Sequence, residues 1–164
     1  MSPSKTGNFY LAGFLATVVF TAIFYAAPFL KMPGIDIAGM LGEFITRSPA
    51  LMGSIRWILG LLLVFVTGTL VLPLIFSKLL YPRLPGPGWA KGMEWGFILW
   101  LIAQAVIMPI MEMGFFSSKL PASGRILAVT LVAYLAYGAI LGAVYQASAL
   151  RHGASPGLRH VTAA

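Results

Sequence analysis

The chain has 164 residues, of which 59% are hydrophobic and only 9% are charged, and its formal net charge is +7. Soluble domains carry about 25% charged residues, so this composition excludes an ordinary soluble protein and predicts an integral membrane protein. The basic residues fall mostly in loops and at helix ends, where lipid headgroups and membrane topology account for them. Nucleic acid is therefore not expected as a partner.

Four long apolar stretches predict four transmembrane helices, at residues 9–30, 55–76, 92–116 and 126–147. Each stretch is long enough to cross a bilayer with some tilt, and a helix satisfies its own backbone polar groups in lipid. The predicted fold class is all-α, a membrane bundle of two helical hairpins. Residues 1–8 are the predicted N-terminal tail, residues 9–147 the transmembrane domain, and residues 148–164 a flexible C-terminal tail.

The connection between the first two stretches has apolar residues at helical spacing. They are Ile37, Met40, Leu41, Phe44 and Ile45. The polar residues Asp36, Glu43 and Arg47 lie off this face. The pattern predicts a short amphipathic helix lying on the membrane surface, with an ordinary polar loop as the alternative.

The third stretch contains two carboxylates, Glu94 and Glu112, eighteen residues apart. In a regular helix this spacing is about five turns, so both would share a face near opposite membrane surfaces. A carboxylate inside a spanning helix costs about 3 kcal/mol unless it finds a partner or water. Together with Gln104 and the helix-kinking Pro109, Glu112 forms a candidate ion or proton site. The alternative is that Glu112 pairs with a basic residue of the following loop and fixes helix packing.

The fourth stretch carries a face of small residues, Gly138 and Gly142, with Ala139 and Ala143 one position further on. Small residues at this spacing allow helices to approach closely. The expected partner of this helix-packing interface is the second span, a second copy of the chain, or another subunit. Three tyrosines flank the surface and are expected to pack there or to stack on a quinone, a lipid or a carotenoid: Tyr134, Tyr137 and Tyr145.

Residue types that carry common chemistry are missing from the predicted spans. The chain has no cysteine, and its two histidines, His152 and His160, lie near the C-terminus. Haem ligation from the spans is therefore not expected, and no spacing is typical of a zinc site or a phosphate loop. The sequence predicts no metal, no catalytic residue, no intrinsic cofactor and no enzymatic activity on its own. A lipid, quinone or pigment is expected only at subunit interfaces.

The distribution of Lys and Arg predicts the orientation. Six lie on the side of the termini and five on the other side, which favours both termini in the cytoplasm. The side of the termini carries Lys5, Lys78, Arg83, Lys91, Arg151 and Arg159. The other side carries Lys31, Arg47, Arg56, Lys119 and Arg125.

Several short segments carry a resemblance to a known family. They are residues 11–13 (LAG), 27–28 (AP), 35–42 (IDIAGMLG), 84–87 (LPGP), 100–104 (WLIAQ), 108–109 (MP), 113–117 (MGFFS) and 137–142 (YGAILG). Over residues 9–147 the chain resembles a family of small four-helix bacterial inner-membrane proteins of unknown function. The resemblance implies a multi-pass protein of the bacterial inner membrane, and it implies no particular activity.

The leading functional hypothesis is a non-catalytic accessory or structural subunit of a larger membrane complex, in an electron-transfer or respiratory oxidase assembly. Its partners would be other membrane subunits, in a hetero-complex, and lipids. Three observations motivate it: no catalytic constellation, the close-packing face of the fourth stretch, and a large apolar surface. The alternatives are a small ion or solute transporter or channel acting as a homo-oligomer, with Glu112 and Gln104 along the path, and a membrane assembly factor.

Overall fold

The computed structural model describes the backbone of residues 3–153 and the side chains of residues 10–150. Residues 3–153 contain helices and no strand. Four of the helical stretches are long and apolar enough to cross a membrane, so the predicted all-α fold with four spans is confirmed. The four spans are Tyr10–Leu30, Ile55–Leu80, Gly88–Ile110 and Ser123–Leu150.

The described residues form seven α-helices and five shorter helical segments, and one of the α-helices, Ile37–Thr46, lies between the first and second spans. The α-helices are α1 (Pro3–Ala26), α2 (Ile37–Thr46), α3 (Ile55–Val66), α4 (Leu72–Ile75), α5 (Gly88–Ile102), α6 (Met108–Ile110) and α7 (Ser123–Gly153). The shorter segments are two 3-10 turns, Ala27–Leu30 and Phe115–Ser117, and three π-helical segments, Thr67–Val71, Phe76–Leu80 and Ala103–Ile107.

Several predicted boundaries differ from the observed ones. α1 begins at Pro3, inside the predicted N-terminal tail, because proline is favoured in the first turn of a helix. The second span continues to Leu80, since a π-helical segment extends it. α7 begins at Ser123 and continues to Gly153, so it includes the start of the predicted C-terminal tail. Residues 154–164 of that tail lie outside the described residues.

Each π-helical segment precedes a proline by the same distance. Leu72, Tyr81 and Met108 each precede a proline, and each donates its N–H to the carbonyl five residues back. Proline has no N–H, and its ring crowds the carbonyl four residues before it. The turn therefore widens from the α to the π pattern, which adds one residue to it. Residues on either side of such a turn no longer share the face that a regular helix predicts.

The first and fourth spans form the centre of the bundle. α7 packs along both α5 and α1, while the second span packs against α1 and against α2. The second and third spans therefore lie on the outside. The core between the spans consists of aromatic, branched and small side chains, among them Ala16, Phe20, Phe24, Phe76, Trp95, Leu99, Ile126, Val129, Ala133, Tyr137 and Leu141.

α5 and α7 touch backbone to backbone through glycines. A Cβ atom at Gly92 would overlap the carbonyl oxygen of Gly138, and one at Gly88 would overlap that of Gly142. The predicted small-residue face of the fourth span is thus an interface, but its partner is the third span of the same chain, which was not among the expected partners. Ala139 is half-buried and Ala143 is exposed, so of the four predicted residues the two glycines make the close contact.

α2 packs in a similar way against α3. A Cβ atom at Gly42 would overlap the carbonyl oxygen of Arg56, and one at Gly60 would overlap that of Ala38. As the chain advances along α2 its contacts move back along α3, so the two helices are antiparallel. The predicted helix is present, and its place on the membrane surface stays a prediction. Contacts one turn apart on both helices require α2 to follow the second span.

The face of α2 that is buried also differs from the predicted one. Ala38, Gly39 and Gly42 are buried against the protein, because only small residues fit the close contact with α3. The five apolar residues of the predicted face are not among the buried residues of α2. Ile37, Met40 and Leu41 are half-buried, and Phe44 and Ile45 are exposed.

We expect Gly92→Ala to lower the free energy of unfolding by about 1–3 kcal/mol, the usual range for overpacking a tight contact. The added methyl group would meet backbone atoms of α7, which cannot move aside as a flexible side chain can. Unfolding in detergent, followed by tryptophan fluorescence, measures the change. Gly124→Ala is the matched control, because a Cβ atom there has no neighbour within 4 Å. Equal stability of the two variants would contradict the close contact.

Candidate functional site

Glu112 lies outside the third span. The span ends at Ile110, and Glu112 occupies the following turn with φ of 62° and an exposed side chain. The prediction of a carboxylate inside the spanning helix was therefore wrong. Pro109 weakens the helix at this point, and Gly114, with φ of 79°, bends the chain further. The apolar residues after Ile110 belong to a loop, which hydropathy alone does not distinguish from helix.

Glu94, the second predicted carboxylate, is exposed on α5. The π-helical segment Ala103–Ile107 and the end of the helix at Ile110 both interrupt the regular spacing between Glu94 and Glu112. Gln104 is fully buried, whereas both carboxylates are exposed. The regular helix that would place Glu94 and Glu112 on one face is therefore not formed.

Gln104 belongs to a buried hydrogen-bond network. Its Nε2 donates to Thr130 Oγ1 at 3.1 Å, and Trp100 Nε1 donates to the same oxygen at 3.0 Å. The Thr130 hydroxyl donates to the carbonyl of Leu127, and the Ser117 hydroxyl donates to Gln104 Oε1 at 2.9 Å. Thr130 thus uses its one donor and both acceptor positions. The network fastens the loop after the third span to the fourth span.

This network also accounts for strained backbone in the loop. Phe116 and Ser117 have φ of 51° and 56°, in the left-handed region that is unfavourable for residues other than glycine. The fully buried Ser117 hydroxyl is held by Gln104, so the loop conformation depends on that hydrogen bond. The role of Gln104 in the structure is to position this loop.

A second polar cluster surrounds Asp36, which the sequence marked only as lying off the apolar face of α2. Its carboxylate accepts hydrogen bonds from Tyr25 Oη at 2.7 Å, Trp57 Nε1 at 2.8 Å and the Gly39 N–H at 2.9 Å. Asp36 is thus the N-cap of α2 and also joins the first span to α3. An aspartate just before a helix suggests an N-cap, but its distant aromatic partners have no local pattern.

An apolar crevice lies among the four spans and α2, with the third span contributing only Ile107. Its volume is about 220 Å³. The residues that line the crevice are Thr17, Phe20, Ile37, Leu41, Leu63, Val64, Thr67, Gly68, Leu72, Ile107, Tyr134 and Tyr137. Two of the three predicted tyrosines therefore meet at one site, whereas Tyr145 lies elsewhere and packs against Tyr81 with ring centroids 4.6 Å apart.

Four of the residues that line the crevice carry hydroxyl groups, and two of these hydroxyls donate to backbone carbonyls. Thr17 donates to the carbonyl of Gly13 at 2.8 Å, and Tyr137 donates to the carbonyl of Gly68 at 2.7 Å. The latter carbonyl is left free because its partner in the π pattern would be the missing N–H of Pro73. Two further lining residues, Thr67 and Tyr134, also carry hydroxyl groups.

The crevice reaches the outer surface of the bundle. Leu63 of the second span and Ile107 of the third span both line it, and they are 38% and 41% exposed. Both residues lie within spanning segments, so partly exposed apolar side chains of the second and third spans border the crevice.

The chain belongs to the family described as "Family of unknown function (DUF6789)", which matches residues 5–154. The resemblance to a family of unknown function is thereby confirmed over nearly the whole chain. No curated protein and no solved structure matches the sequence. The family description names no activity, so the functional argument depends on the geometry of the site.

We expect Gln104→Leu to destabilise the protein by about 1–3 kcal/mol, because it leaves the buried Ser117 hydroxyl without its acceptor and Thr130 Oγ1 without one of its donors. Glu112→Gln, at an exposed position in the adjacent turn, should change stability by less than about 0.5 kcal/mol. Thermal unfolding of both variants in the same detergent provides the comparison. A larger loss for Glu112→Gln would restore a structural role for that carboxylate.

We expect Asp36→Ala to loosen α2, since it removes the N-cap and the acceptor for Tyr25 and Trp57. Hydrogen bonds to a charged group contribute about 1.5–3 kcal/mol. Amide hydrogen exchange should therefore accelerate in α2 more than in α7. Glu43→Gln, which changes an exposed acid of the same helix, is the control and should leave exchange unchanged. If α2 exchanges as slowly in Asp36→Ala as in the parent protein, glycine packing alone holds the helix.

Proposed function

We propose that this family member is a non-catalytic membrane subunit that holds a lipid-soluble molecule in the crevice for a larger membrane complex. The crevice carries the proposal. Ligand sites are concave and mostly apolar, with few polar groups that fix orientation. The crevice combines aliphatic and aromatic walls with the hydroxyl groups of Thr67 and Tyr134.

The use of the other polar side chains supports a non-catalytic role. Asp36, Gln104 and Thr130 are bonded to groups on other segments of the same chain. Tyr137 likewise satisfies a backbone carbonyl of the second span. Through these contacts the side chains hold the bundle together. The crevice remains as the candidate binding site.

The outer spans supply a surface for neighbouring subunits. In the most apolar parts of the second and third spans only 22% and 28% of residues are buried, against 44% in the most apolar part of the fourth span. On the third span Phe97 is 44% exposed and stacks on Trp100, with centroids 5.8 Å apart. Trp100 is in turn fixed by Thr130. Rigid aromatic surfaces are typical of interface centres, so we place the subunit contact here, since Gly138 and Gly142 are used within the chain.

The complex we propose is an electron-transfer assembly of the bacterial inner membrane, of the respiratory oxidase type, with both termini of this chain in the cytoplasm. Lipid-soluble carriers operate within the bilayer, and the crevice is lined by residues of the spanning segments. The Lys and Arg count supports the orientation. The transporter alternative lacks comparable support, because Gln104 is enclosed and Glu112 lies beyond the end of the span.

Purification from native membranes in a mild detergent tests the function. We expect other membrane subunits in fixed ratio, identified by mass spectrometry, and a lipid-soluble compound in an organic extract. Leu41→Trp should displace the compound, because Leu41 lines the crevice. Recovery of the chain alone and without any extractable compound would overturn the proposal.

A pair of matched variants tests the subunit contact. Phe97→Ala should reduce the recovery of partner subunits about tenfold, the effect of losing about 1.4 kcal/mol at an interface anchor. Phe14→Ala is the control. Phe14 is 46% exposed and packs on Phe65 with centroids 5.9 Å apart, so it resembles Phe97 in exposure and in ring contact but lies on the first span. Equal recovery in the two variants would place the contact elsewhere.

A further inference from the structure

We propose that the ligand of the crevice is a quinone-type ring with a long apolar tail. The ring would lie between the first, second and fourth spans, its carbonyl oxygens would accept hydrogen bonds from Thr67 and Tyr134, and its tail would leave past Leu63 and Ile107. The inference rests on the proposed function, because it names the class of molecule that the same crevice holds.

The size of the crevice favours a single ring. A dry cavity of about 150 Å³ binds benzene, and pockets for drug-sized ligands begin at about 300 Å³. The volume of about 220 Å³ lies between these values. One six-membered ring with small substituents fits this space.

The walls favour a flat ring over an alkyl chain. Phe20 packs edge-on against Tyr134 and Tyr137, with centroids 4.9 and 6.0 Å away and interplanar angles of 72° and 74°. Aromatic rings prefer edge-to-face and offset contacts with one another. This three-ring cluster lines the crevice together with the aliphatic side chains of Ile37 and Leu41, so a flat ligand would meet both aromatic and aliphatic surfaces.

The hydroxyl groups distinguish a carbonyl-bearing ring from a hydrocarbon. Thr17 and Tyr137 direct their hydroxyl protons to backbone carbonyls. Among residues 10–150, Thr67 and Tyr134 show no such acceptor for theirs, and both line the crevice. A hydroxyl without a partner in an apolar site is unfavourable by about 1–3 kcal/mol. A quinone has two carbonyl oxygens that accept such bonds, and an alkyl chain has none.

The opening accounts for the tail. Leu63 and Ile107 line the crevice and are also exposed on the outer surface of two spanning segments. An apolar tail that passes between them enters the hydrocarbon region without burying any polar group. The ring alone occupies the crevice, so the length of the tail is not restricted by the volume.

Equilibrium dialysis of the delipidated protein in detergent tests this inference. The probes are a benzoquinone that bears one isoprenoid unit and the matching isoprenoid hydrocarbon without the ring. Thr67→Val and Tyr134→Phe remove the hydroxyl groups and keep the shapes. We expect each variant to weaken quinone binding about three- to tenfold, the effect of one hydrogen bond, and to leave hydrocarbon binding unchanged.

Thr21→Val and Tyr81→Phe are the matched controls, because neither residue lines the crevice, and both should bind the quinone as the parent protein does. If both probes bind equally and the hydroxyl variants change neither affinity, the quinone inference is wrong while the lipid-holding function stands. If neither probe binds, and Leu41→Trp changes nothing extracted from native membranes, the proposed function fails as well.

Discussion

The close backbone contact between α5 and α7 is the constraint on which the rest of the structure depends. Gly92 and Gly138 leave no side chain between the two helices. The third span therefore cannot move closer without backbone overlap, and it cannot move away without losing dispersion contacts along its length. The contact sets the position of α7, whose other face carries Tyr134 and Tyr137 toward the second span. Helix packing and the shape of the crevice are therefore consequences of the same glycines.

Prolines act through the hydrogen bonds that they remove. Before Pro73 the second span widens, and the carbonyl of Gly68 is left to the hydroxyl of Tyr137. In a bilayer such a carbonyl finds no water, so a side chain from another span must satisfy it. The same deviation before Pro109 displaces the register of the third span around Gln104. A local defect in one helix thus becomes a specific contact with another.

α2 closes the crevice on one side, and two features hold it there. The glycine contact with α3 sets its distance, and Asp36 joins it to Tyr25 and Trp57. The glycine contact requires the small residues of both helices to face each other, and a carboxylate with three directed donors has one favourable arrangement. The two features together place Ile37 and Leu41 on the wall of the crevice.

The sequence by itself determined the all-α class, the number of spans, the presence of α2 and the small-residue face at Gly138 and Gly142, because hydropathy and helical spacing are local properties. The same four-residue spacing in residues 88–96 could have identified the partner helix. Only the tertiary structure decided that Glu112 lies beyond the span, that Asp36 meets two distant aromatic residues, and that a crevice forms. Those outcomes depend on which helices pack together and on how prolines change their register, and neither is encoded in a local pattern.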